Sequence, residues 1–151
     1  MTSEQKLYPL NSLKTALEAL PHIKELGLCC IEYNRGSCLF ELAYNEQLVG
    51  NSETGVVHGG VITSLLDSAG GAVAFSVLAA GKSVATLDLR IDYLTQATAY
   101  QSIMGYAECY RQTQNVAFVR GYAYQKTADD PIASFSASFM IGSVGFSPDA
   151  N

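Results

Sequence analysis

The stretch Gly55-Val56-Val57-His58-Gly59-Gly60-Val61-Ile62-Thr63-Ser64-Leu65-Leu66-Asp67 puts a histidine, a glycine pair and a carboxylate close together in the chain. The apolar run that follows reads as a helix beginning at Gly59. An uncapped helix start leaves free backbone N–H groups and a partial positive charge at its end. Gly59 and Gly60 have no side chains to keep a ligand from those donors. A carbonyl oxygen held there is polarised, and the oxyanion formed by attack on it is stabilised. His58 either adds a further donor or braces the loop against the strands. Asp67 has neighbours too apolar for a solvent-facing helix acid, so a charge inside this run needs a reason.

Spacing constrains how these groups meet. Asp67 follows His58 by nine residues, about 2.5 turns at 3.6 residues per turn, so the two point to roughly opposite sides of the helix. A small substrate is not easily reached by both within one chain. Two paired subunits, each lending one half, can do it. On the Asp67 side lie the small residues Gly60, Thr63, Ser64, Gly70, Gly71 and Ala74. Gly70 and Gly71 each cost the helix about 1 kcal/mol relative to Ala. That cost makes sense where another backbone or a ligand passes close.

The rest of the chain must hold this helix in place. Its 151 residues favour one domain, 1–151, with residues 1–9 and 143–151 expected as flexible tails. Asn11 can cap a short helix to about Leu20, carrying an apolar stripe of Leu13, Leu17 and Leu20. Pro21 ends it, with His22 exposed in the connection. Residues 26–33 and 37–44 form a hairpin about Asn34-Arg35-Gly36, with Cys38, Phe40, Leu42 and Tyr44 on one side. Residues 45–57 are a loop. The central helix runs from about Gly59 to Leu78 and closes at Gly81-Lys82. Thereafter the apolar period is two. In 84–95, Leu87, Leu89, Ile91 and Tyr93 share one face, and Thr86, Asp88, Arg90 and Asp92 the other. Strands follow at 102–111 and 115–125. After a turn at 127–131, the last strand carries Ala133, Phe135, Ala137, Phe139 and Ile141 inward and Ser134, Ser136 and Ser138 outward. Strands flanking one apolar helix predict an α+β fold, an antiparallel sheet wrapped around the long helix.

Composition excludes some functions. Net charge is −5 with nine Lys plus Arg, which leaves no basic patch for nucleic acid. Hydrophobic residues make up 48% of the chain, an apolar surplus that points to an oligomer. The four cysteines, Cys29, Cys30, Cys38 and Cys109, show no C-x-x-C spacing and read as buried reduced thiols of a cytoplasmic protein. The first residues lead into no apolar segment of the signal-peptide kind, and Ala69–Ala80 is too short to span a bilayer.

Thr54 to Ile62, with Asp67 nine residues after His58, resembles the signature of hot-dog-fold acyl-CoA thioesterases of the phenylacetyl-CoA type. Thr86-Leu87-Asp88-Leu89-Arg90-Ile91-Asp92-Tyr93-Leu94 resembles that branch's strand after the central helix. Asn115-Val116-Ala117 to Gly121 and the alternating last strand also fit, so the resemblance spans roughly residues 25–142. It implies a homodimer with one continuous sheet, dimers pairing into tetramers, and a site built from both chains. It implies metal-independent hydrolysis of an acyl-CoA thioester, with no cofactor beyond the coenzyme A of the substrate. By position, the resemblance makes Asp67 the acid that acts as nucleophile or as general base toward water, Gly59 the backbone donor and His58 the supporting histidine. Many members carry Asn or Gln six residues before the histidine; here Ser52 stands there, with Asn51 beside it. Members often have a basic residue and Pro after Asp-Tyr-Leu; here Thr95-Gln96-Ala97 follows. Gly60, Val61, Thr63 and Ser64 are expected along the substrate. Thr86 is expected near the acid, and Arg90, Arg111 and Arg120 near the CoA phosphates. Val61, Leu65 and Leu66 are expected to line the acyl tunnel. An acyl-CoA-binding module with little hydrolysis is the alternative. A hot-dog hydratase is disfavoured, because the Asp-x-Asn-Pro-x-His arrangement of those enzymes is absent.

Overall fold

The computed structural model describes residues 6–142. The chain order is α1 (Leu10–Glu18), α2 (Pro21–Leu26), β1 (Leu28–Asn34), β2 (Ser37–Leu42), a 3-10 turn (Glu46–Leu48), β3 (Val49–Asn51), β4 (Val56–Val57), α3 (Gly59–Ser76), β5 (Val84–Tyr93), β6 (Ile103–Gln112), β7 (Val116–Tyr124) and β8 (Ala133–Ile141). The main sheet has six strands in the order β1-β2-β6-β7-β8-β5, antiparallel throughout. It wraps around α3, as expected for an α+β hot-dog architecture.

Helix α3 is apolar nearly all round, so it must be enclosed rather than laid on a surface. Leu65, Leu66, Ala69 and Val73 are fully buried. They meet the inward positions of the sheet, Phe40, Leu42, Ile103, Ala107, Val119 and Phe139. The expected alternation of the last strand holds: Ala133, Phe135, Ala137 and Phe139 are buried, while Ser134, Ser136 and Ser138 are not. Two glycines let the layers close. A Cβ at Gly105 would stand 2.8 Å from the buried Leu65 side chain. A Cβ at Gly121 would stand 1.9 Å from the Tyr106 carbonyl oxygen and 2.7 Å from the Phe135 ring. Backbone cannot yield as a flexible side chain does. Gly121→Ala is therefore expected to destabilise the fold by about 3 kcal/mol, at the upper end of overpacking costs. Chemical denaturation measures this; a change below about 0.5 kcal/mol, the size of an ordinary surface substitution, contradicts it.

Several boundaries differ from expectation. Pro9, not Asn11, precedes the first helix. Pro21 starts a second helix instead of only ending the first, because its missing N–H is no loss at a first turn. His22 is exposed, but on that helix. Gly27, at φ 70°, ends it. Residues 6–9 are anchored rather than loose: Leu7 bridges Ala79 and Tyr8 is 4% exposed. The Tyr8 hydroxyl donates to the Lys82 carbonyl at 3.2 Å and accepts from the Gly81 N–H at 2.8 Å. The rest of the expected tails, 1–5 and 143–151, lies outside the described residues. The stretch 45–57 contains the 3-10 turn and the small hairpin β3–β4.

Helix α3 ends at Ser76, before Gly81, because the first hairpin holds its C-terminus. The Ser76 hydroxyl donates to Val73 O at 2.6 Å and accepts from Gly36 N–H at 2.9 Å. Arg35 donates to Ser76 O at 2.8 Å and also to Tyr8 O, putting a cation at the negative end of the helix. The thiols divide. Cys30 and Cys38 are buried, and burial pushes the Cys30 pKa up to about 11 and that of Cys38 higher still. Cys29 is exposed and Cys109 half-buried, contrary to the expectation for all four: Cys29 takes an outward position of β1, and Cys109 lies at the bulge of β6. Among the described residues no helix is long and apolar enough to cross a membrane.

Candidate active site

At the start of α3 the helix is capped, which corrects the expectation of an uncapped end. His58 is the N-cap, and its Nδ1 accepts from Gly60 N–H at 2.9 Å. A neutral ring that accepts at Nδ1 carries its proton on Nε2, so a donor remains. The loop packs tightly against this residue. His58 N–H donates to Leu48 O at 2.9 Å. A Cβ at Gly50 would fall 2.8 Å from His58 Cα, and one at Gly60 2.9 Å from His58 Nδ1. His58 therefore braces the loop and satisfies one helix amide. The Gly59 N–H, first in the helix, has no acceptor among the described residues.

Beside Gly59 stands Tyr93, a residue the pattern of alternation named only as a strand position. Its hydroxyl donates to Gly59 O at 2.8 Å and lies 2.7 Å from Thr63 Oγ1. Gly59, Ile62, Val57, Tyr93, Leu94 and Gln96 border a pocket of about 450 Å3.

Two turns further on, Thr86 Oγ1 donates to Asp67 Oδ1 at 3.0 Å. Oδ2 of Asp67 has no hydrogen-bond partner among the described residues. Thr86 and Tyr93 both reach the helix only because of a bulge in β5. Thr86 pairs with Phe139 and Asp88 with Ser138, which leaves Leu87 unpaired between them. The extra residue reverses the alternation. Thr86 lies on the helix side with Leu89, Ile91 and Tyr93, and Leu87 is 50% exposed. An unbroken period of two, as expected from the sequence, would put Leu87 inward and Thr86 outward.

The geometry of the two halves also changes. Gly59, Thr63 and Asp67 fall at i, i+4 and i+8, one flank of the helix. The free amide and the carboxylate are thus not on opposite sides. They are eight residues apart, about 12 Å along the axis at 1.5 Å per residue. One thioester cannot span that distance, so the separation between the two groups is axial and not one of opposite helix faces.

Asp67 and Thr86 border a second pocket, of about 200 Å3. Its other walls are mainly apolar and include Leu17, Ile23, Phe75, Val84 and Phe139. Leu65 and Leu66 are fully buried in the core and border neither of these two pockets, contrary to their expected place along the tunnel. Val61 and Ser64 are half-buried on α3 outside both pockets. Leu17 and Ile23 belong to helices whose place over Asp67 had no signal in the sequence.

Asn51 and Ser52 meet neither half within the chain. Asn51 Oδ1 accepts from Glu53 N–H at 3.0 Å, a local turn. Ser52 borders a different pocket, with Tyr44 and Tyr100. The three candidate arginines, Arg90, Arg111 and Arg120, are exposed, and two of them are paired elsewhere. Arg90 pairs with Asp92 at 3.3 Å. Arg120 pairs with Glu108 at 2.7 Å and covers the Tyr110 ring at 4.8 Å. Arg111 lies beyond the bulge in β6. None of the three borders the pockets at Gly59 or Asp67.

Comparison with known proteins places the chain in a family and supports the fold. Residues 54–131 match the thioesterase superfamily. A medium/long-chain acyl-CoA thioesterase of Salmonella typhimurium is 29% identical over 88% of this chain and the whole of that protein. A crystal structure of a Pseudomonas aeruginosa protein is 42% identical, with TM-score 0.78, covering 87% of this chain and 98% of the other. A thioesterase family protein of Silicibacter pomeroyi shares the fold at 22% identity and TM-score 0.78, covering 87% and 96%. These relationships select hydrolysis over a binding-only module. The chain belongs to the thioesterase superfamily, and it is a thioester hydrolase.

Proposed function

We propose that the protein hydrolyses an acyl-CoA thioester to the free acid and coenzyme A, in a site shared by two copies of the chain. The observation that supports this most is the pair of half-sites on one helix flank: a free amide at Gly59 and, about 12 Å away, a carboxylate with one free oxygen beside an apolar pocket.

Strand β5 explains how the halves combine. It lies at one end of the sheet order, so one side of its backbone has no strand neighbour. It also exposes Leu87 and Tyr93, at 50% and 52%. A long strand edge with unpaired backbone N–H and C=O groups is a template for pairing with another strand. Two copies related by a two-fold axis pair their β5 strands antiparallel. Tyr93 marks the Gly59 end of β5 and Thr86 the Asp67 end. Antiparallel pairing therefore brings the Gly59 end of one chain to the Asp67 end of the other.

In this reading the thioester carbonyl oxygen accepts from Gly59 N–H, with His58 Nε2–H as a second donor from the same chain. The partner's Asp67 takes a proton from water, which adds to the carbonyl carbon. The tetrahedral oxyanion collapses, the C–S bond breaks, and the coenzyme A thiolate takes up a proton. Direct attack by the partner's Asp67, through an acyl anhydride that water then opens, uses the same positions. Thr86 positions the carboxylate. Neither path uses a metal or a further cofactor. Ser52 or Asn51 aids the water only if the partner brings it near. Pairing of dimers into tetramers and a cytoplasmic setting belong to the same proposal.

Release of free coenzyme A, followed by chromatography over alkyl and aryl acyl-CoAs, tests the substrate class. At least one thioester is expected to be cleaved with kcat/KM of about 10⁴ M⁻¹s⁻¹ or more. If every acyl-CoA stays intact while a simpler thioester is cleaved, the substrate class is wrong.

A further inference from the structure

The pocket at Asp67 is closed by parts of the chain outside the matched family segment. Leu17 comes from α1, Leu20 is the N-cap of α2 and Ile23 lies within α2, whereas the family match begins at residue 54. Opposite them stand Phe75 and Phe139, with Gly71 in the wall between. Asp67 is half-buried and Thr86 exposed, while Leu17, Ile23, Phe75 and Phe139 are buried. The pocket thus runs from a polar rim at the carboxylate into an apolar interior.

The two helix glycines have different reasons to be there. A Cβ at Gly70 would approach Phe139 to 3.0 Å and Phe135 to 3.4 Å, so the sheet's close approach accounts for it. A Cβ at Gly71 would meet only Phe139, at 3.8 Å, an ordinary contact. Packing would accept alanine at this position and the helix would gain by it. What the glycine supplies is open space in the pocket.

We infer that this pocket gauges acyl-chain length, with Gly71 setting its room and the N-terminal helices its far wall, and that it takes a saturated chain of about eight carbons. An apolar cavity of about 150 Å3 holds six-carbon benzene. The pocket beside Asp67 is about 200 Å3, which scales to about eight carbons. The inference rests on the acyl-CoA reading above. Chain length is then selected jointly by Gly71, inside the matched family segment, and by a far wall that this segment does not itself carry.

The test compares kcat/KM on saturated acyl-CoAs from butyryl to palmitoyl for the full chain and three variants. For the wild type, kcat/KM is expected to rise about fourfold per added methylene until the pocket fills, and no further. Gly71→Leu puts four carbons into that space, and the octanoyl-to-butyryl ratio is expected to fall about 100-fold. Gly71→Ala is expected to lower the ratio several-fold while raising Tm by about 2–4 °C. It carries the test if Gly71→Leu fails to fold. Leu20→Ala is expected to move the optimum to longer chains. A ratio unchanged in Gly71→Leu and Gly71→Ala overturns the gauge and leaves acyl-CoA hydrolysis standing. If the wild type cleaves no acyl-CoA, the hydrolysis reading fails instead, and calorimetry decides the gauge. Tighter binding of octanoyl- than butyryl-CoA, abolished by Gly71→Leu, supports it; equal binding of the two overturns it.

Discussion

Asp67→Asn is expected to lower kcat on the preferred acyl-CoA by about 10³-fold, within the range for loss of a positioned base. The substitution is nearly isosteric and keeps a side-chain carbonyl oxygen to accept from Thr86, which reaches Asp67 Oδ1 at 3.0 Å. Stability is therefore expected to change by less than about 1 kcal/mol, the net worth of one hydrogen bond. A thermal melt beside the kinetics separates the two effects. Wild-type turnover in Asp67→Asn would sink the assignment. Single turnover in heavy-oxygen water can then expose the nucleophile path. A carboxylate that acts as base leaves all label in the released acid, whereas label recovered in Asp67 itself reports an anhydride opened at the protein carbonyl.

Mixing two inactive variants is expected to restore activity. Asp67→Asn removes the carboxylate. Gly59→Val fills the space before the free amide, where a Cβ would already lie 3.6 Å from the Tyr93 ring. Each variant alone has both of its sites defective. In a heterodimer, the chain with Asn at position 67 supplies an intact Gly59 amide and the other supplies an intact Asp67, so one of the two sites is whole. Random exchange of equal amounts makes half of the dimers mixed, and activity is expected to return to about one quarter of wild type for a two-fold shared site. Unmixed proteins measured together without subunit exchange give the baseline. If exchange is complete and activity stays at that baseline, each site lies within a single chain, and the pairing of β5 strands is the wrong explanation of the 12 Å gap derived from the helical rise.

Much of this protein follows from local sequence. The apolar run from Gly59 could only be an enclosed helix, and Ser134, Ser136 and Ser138 alternating with Ala133, Phe135, Ala137 and Phe139 could only be a half-buried strand. Those periods are set by backbone geometry, so the sequence by itself determined the α+β wrap, and the motif from Thr54 to Asp67 pointed to the family. The tertiary structure decided how side chains meet. One unpaired residue, Leu87, reverses the faces of β5 and brings Thr86 to Asp67, because a bulge depends on pairing with β8 and not on the strand's own pattern. Hydrogen bonding decided that His58 caps the helix and that Asn51 serves its own turn. Contacts between distant segments placed Leu17 and Ile23 over the acid. Periodicity says which side of an element is apolar, whereas which partner covers that side is settled only when the chain is folded.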